Sequence, residues 1–77
     1  MTDAYVHVMV EPGAVADAAE AIAGSDSVEQ VHLVTGDHDL VVRLDLDSKD
    51  DIARAVTEDV HSASGVYDTI TSVAFEP

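Results

Sequence analysis

The chain has 77 residues, no Cys, and sixteen acidic residues against three basic ones, for a formal charge of −13. That length allows one small domain, residues 1–77, which buries only roughly 60% of its unfolded surface. With no disulfide and no thiolate site to staple it, association between copies is an expected source of stability.

No apolar run approaches the roughly 18 residues of a membrane span. Met1-Thr2-Asp3 lacks the positive and apolar regions of a secretion signal, so a cytoplasmic location is expected. The acids lean to Asp, are spread through turns, helix faces and strand ends, and Lys49 is the only lysine. At ordinary salt such repulsion opposes a compact state, and at molar salt the Debye length falls to about 3 Å and the cost largely vanishes. The acidity therefore reads as a halophilic surface, with a patch for a basic partner as the other reading. Arg43, Lys49 and Arg54 are too dispersed to build a phosphate-binding cluster, so direct nucleic-acid contact is not expected.

Val6, Val8 and Val10 alternate with Tyr5, His7 and Met9, the period of a strand over Ala4 to Val10. Glu11-Pro12-Gly13 ends it. Val15, Ala18, Ala19 and Ile22 then fall on one face of a helix, with Gly24 placed as its C′ residue. Val28 to Val34 is a second strand, with Val31 and Leu33 on one face and Gln30, His32 and Val34 on the other. Thr35-Gly36-Asp37-His38-Asp39 links it to a third, Leu40 to Leu46; Gly and Asp suit the left-handed backbone and side-chain bonds of such a turn. Ser48 and Asp51 form a variant capping box for a second helix lined by Ile52, Val56, Val60 and Ala63, with Arg54 four residues from Asp50 and from Glu58. Gly65 closes that helix, and Val66 to Phe75 is the last strand.

The two halves echo each other, each helix leading through a short link to a Val that opens a strand. Two βαβ units joined this way predict a ferredoxin-like α+β sandwich, βαββαβ, with a four-stranded antiparallel sheet and both helices on one face. The other face carries Tyr5, His7, Met9, Gln30, His32, Val34, Val41 and Arg43. It is too apolar for open water and too polar for a core, which predicts a homodimer stacked sheet on sheet, as in dimeric α+β barrels.

Four His are present, but none pair at i, i+4 or in an H-x-H spacing, and a metal site is not expected. There is no G-x-S-x-G elbow and no phosphate-binding glycine loop. Pairs such as Asp45 and Asp47, or Asp50 and Asp51, are what a strongly acidic surface shows. No cofactor and no enzymatic role are expected.

Four motifs in order, Val10-Glu11-Pro12-Gly13, Val34-Thr35-Gly36, Asp39-Leu40-Val41-Val42, and Gly65-Val66 leading to Thr69-x-Thr71, make the chain resemble the C-terminal effector (RAM) domain of Lrp/AsnC transcription regulators from about Tyr5 to Phe75. The resemblance implies a ferredoxin-like dimer that assembles into octameric rings. It also implies a small-molecule effector, an amino acid, bound where dimers meet. Carried over by motif, the contacts are Thr35, Gly36 and Asp39 from the link, with Thr69 and Thr71 from the last strand; the plain alternative for both threonines is ordinary strand packing. An ammonium would be accepted by Asp39, and a carboxylate met by link amides and Thr hydroxyls. The family's helix-turn-helix segment has no counterpart in these residues, so the expectation is a stand-alone effector module that co-assembles with full-length Lrp/AsnC relatives. The rival readings are a small dimeric barrel enzyme, with Tyr5, His7 and His32 lining its pocket, and a structural oligomerisation module.

Overall fold

The computed structural model describes residues 2–77. Its order is β1 (Thr2–Val10), α1 (Val15–Ala23), β2 (Val28–Leu33), β3 (Leu40–Leu46), α2 (Lys49–Ala55) continued by a π turn (Val56–Val60), and β4 (Val66–Ala74). The strands form one antiparallel sheet in the order β2-β3-β1-β4. This is the ferredoxin-like βαββαβ arrangement the patterning predicts. The core lies between sheet and helices. Ala4, Val6, Val8 and Val10 of β1 and Leu40, Val42 and Leu44 of β3 pack with Ala18 and Ile22 of α1 and with Ile52, Ala55 and Val60. Among the described residues no polar side chain is buried. Each fully buried Val, Leu or Ile contributes about 1.5–3 kcal/mol relative to exposure.

Each half of the chain carries the same local devices. Val28 and Val66, which open β2 and β4, donate their amides to Ser25 O and Ala63 O at 3.1 Å. The residue after each Val is then looped out of the ladder. Val28 pairs with Leu44 but Gln30 with Arg43, and Val66 pairs with Val10 but Asp68 with Met9, leaving Glu29 and Tyr67 as bulges. A bulge shifts the alternation by one, so Val28 and Val31 both face the helices.

The second helix departs from the sequence expectation. Eight residues of straight α-helix turn Val60 about 80° away from Ile52. Instead the chain widens, with His61 N bonded to Val56 O, and the longer turn returns Val60 to the core at 0% exposure. Ser48 Oγ caps α2 by accepting from Asp51 N, as predicted. Arg54 pairs with Glu58 at 3.8 Å, as expected, and with Asp51 at 3.0 Å in place of Asp50.

Gly24 ends α1 in right-handed backbone, φ −76°, so it is not the left-handed cap expected. The left-handed turn after the second helix falls at Gly65, φ 92°, where a Cβ would stand 2.6 Å from the Ala14 Cβ. Its carbonyl accepts from Glu11 N at 2.8 Å, tying the β1–α1 turn to the start of β4.

Candidate functional site

The β2–β3 link is held by bonds that its own sequence makes available. Val34 N donates to Asp39 O, and Asp39 N donates to Val8 O, both at 3.0 Å. The Asp39 side chain turns onto β1 and accepts the Val10 amide through Oδ2 at 2.8 Å. That amide lies beyond the last β1–β3 pair, Val8 with Leu40, so the carboxylate satisfies a donor that β3 does not reach. Residue type and motif mark Asp39 as a candidate ligand contact; its structural partner, 29 residues away, leaves no local signal.

At the tip, Thr35, Gly36 and Asp37 are exposed, and Gly36 has φ 108° with open space where a Cβ would sit. The link therefore presents free main-chain groups and one hydroxyl on a fixed base.

Thr69 and Thr71 lie opposite Val8 and Val6 and so point to the helix side of β4, an edge strand. Thr69 Oγ1 is 3.4 Å from His61 Nδ1, and its amide donates to Asp68 Oδ1 at 3.0 Å. Asp39 and Thr69 flank Val8 from opposite sides, two strand spacings or about 10 Å apart. Within one chain the structure thus gathers Thr35, Gly36 and Asp39 on one link, and keeps Thr69 and Thr71 across β1 from them.

The sheet face away from the helices is uncovered. Alternation puts Tyr5, His7 and Met9 of β1 there, with Val41 and Arg43 of β3 and Gln30 and His32 of β2. The structure adds Asp68, Ile70 and Ser72 of β4. Tyr5 and Ile70 are 41% and 52% exposed. Arg43 pairs with Asp3 on this face at 3.5 Å, leaving Arg43 Nε and Asp3 Oδ1 out of water and without a hydrogen-bond partner. The other two cations are engaged as well. Arg54 is paired within its helix, and Lys49 Nζ stands 5.6 Å from the centre of the Phe75 ring. Among the described residues no phosphate-binding patch is formed.

Among the described residues no group of three or more His, Asp or Glu converges as a metal site. The link nevertheless brings His38 against His7, ring centroids 4.9 Å apart and tilted by 50°. Sequence spacing gave no sign of this pair.

The sheet order, the helices on one face and the uncovered opposite face define a ferredoxin-like α+β domain. Residues 3–77 match the Lrp/AsnC ligand binding domain, and the chain belongs to that family. It is 31% identical over 77 residues to an uncharacterised HTH-type transcriptional regulator of Pyrococcus horikoshii, covering 96% of this chain and 51% of that protein. The chain thus spans about half the length of the curated relatives it matches.

Among solved structures, the protein TTHA0845 of Thermus thermophilus superposes with a TM-score of 0.93 at 34% identity, covering 100% of this chain and 96% of that one. A transcriptional regulator of Neisseria meningitidis in complex with L-Met superposes at 0.86 over 97% of this chain and 50% of that one. Its 19% identity makes it a likeness of fold. Among the described residues no helix is long and apolar enough to cross a membrane.

Proposed function

We propose that the chain binds an amino-acid effector at the β2–β3 link and acts in transcription regulation without contacting DNA itself. The observation that carries this reading is the link, an exposed turn with free amides and the Thr35 hydroxyl, built on a base fixed by three bonds to its neighbours. Such a turn suits a ligand carboxylate. Asp39 keeps Oδ1 for a ligand ammonium while Oδ2 holds Val10. The Neisseria regulator with the same fold was solved with L-Met, and the curated relatives are named as transcriptional regulators.

Thr69 and Thr71 enter the reading through assembly. Being about 10 Å and more from the link of their own chain, they would meet an effector held by the link of another copy, in a cleft between dimers. The uncovered sheet face supports the dimer and the exposed edge of β4 supports further assembly, up to an octamer. Full-length Lrp/AsnC relatives with the same domain are the DNA-binding partners in this scheme, and the setting is the cytoplasm of a salt-loving organism. Calorimetry with each of the common amino acids in molar KCl tests the proposal. Saturable heat with at least one is expected, and silence from all of them removes the effector.

A further inference from the structure

We infer that His7 and His38 form a two-imidazole site for a divalent transition metal, zinc or nickel, on the uncovered sheet face. The argument is independent of the effector.

The geometry comes first. Two imidazoles bound side by side to one zinc ion, each nitrogen about 2.0–2.1 Å from the metal, place their ring centres about 5 Å apart. The observed separation is 4.9 Å, and the 50° tilt turns the rings out of a parallel stack. The rings are also unoccupied by other bonding. Neither His7 nor His38 has a hydrogen-bond partner among the described residues, whereas His61 Nδ1 is engaged by Thr69.

The pair is positioned beforehand. His7 lies in the middle of the central strand β1, between Val41 of β3 and Ile70 of β4. His38 immediately precedes Asp39, whose amide and carboxylate are both tied to β1. Ordering the second ligand therefore costs little on binding. A net charge of −13 raises the local concentration of divalent cations around the whole domain. Carboxylates hold magnesium and calcium by choice, while imidazole selects zinc, nickel and copper. Water, or groups of a second copy packed on the same face, fill the remaining positions.

The test is zinc titration of the 15N-labelled protein in molar KCl with excess Mg2+, which occupies the acidic surface, read by the imidazole nitrogen resonances. The His7 and His38 ring nitrogens are expected to shift together and saturably, while those of His32 and His61 stay in place. Both His7→Ala and His38→Ala should lose the saturable response, and His32→Ala, on the same face beyond Val41, should keep it. Equal responses from all four histidines, no response at all, or a response surviving in the His38→Ala variant overturns the site. Amide spectra recorded alongside verify that each variant is folded.

Discussion

Removing the Asp39 carboxylate tests the hinge of the structure. Its Oδ2 accepts the Val10 amide at 2.8 Å, and Val10 is only 3% exposed, so in Asp39→Ala that donor is left without a partner and with little access to water. A hydrogen bond to a charged group contributes about 1.5–3 kcal/mol. The main-chain bonds of Asp39 to Val8 and Val34 survive the change, which keeps the loss within that range. For a domain of this size about 2 kcal/mol lowers Tm by roughly 10 °C. Asp39→Asn keeps a neutral acceptor in place and should lose about half as much, since charge-assisted bonds are roughly twice as strong.

Thermal unfolding by circular dichroism measures both, in molar KCl and at one protein concentration, because assembly adds to stability. An Ala variant within about 0.5 kcal/mol of the parent, the range of ordinary surface changes, would refute the reasoning. The Asn variant also separates the two uses of the residue. It should retain most of the stability yet bind an amino-acid effector more weakly, having lost the charge opposite the ammonium. Undiminished affinity would remove Asp39 from the site.

Gly36→Ala should cost only the left-handed backbone term, about 1–2 kcal/mol, because nothing lies within 4 Å of its missing Cβ. Gly65→Ala adds the 2.6 Å approach to Ala14, and overpacking of that kind costs about 1–3 kcal/mol more; equal urea midpoints for the two variants would contradict the packing. Val41→Glu places a charge on the uncovered face between His7 and His32. Sedimentation should show the chain reduced to a monomer with its circular dichroism unchanged, and an undiminished mass would exclude this face as the interface. Raising KCl from about 0.1 M to about 2 M shortens the Debye length from about 10 Å to under 3 Å. With a charge of −13 the unfolding midpoint should rise with salt, and a flat response would argue against the halophilic reading.

What the sequence shows of this fold is what alternation and capping encode. Val6, Val8 and Val10 against Tyr5, His7 and Met9 separate the two faces of β1 without ambiguity, and Ser48 with Asp51 announces the start of α2. Both signals are local, and the structure reproduces both. Features that depend on pairing partners were hidden. The bulge at Glu29 lets Val28 and Val31 both face the helices, which a period of two does not permit, while the one at Tyr67 shows only in the pairing of β4 with β1. The π turn arises for the same kind of reason, from the core's demand on Val60.

The site was legible in one direction only. Gly36 and Asp39 are marked by residue type, but Asp39 acquires its structural role from the Val10 amide, distant in sequence and beyond the last β1–β3 pair. β3 pairs with β1 only as far as Leu40 and Val8, which leaves the Val10 amide beyond that pair for the β2–β3 link to satisfy. The Asp39 amide and carboxylate both bond to β1, and Val34 N bonds back to Asp39 O. Those bonds fix Thr35 and Gly36 at one end of β1 and hold His38 beside His7 of the uncovered face. One residue, Asp39, thus sets the position of both the candidate effector turn and the histidine pair.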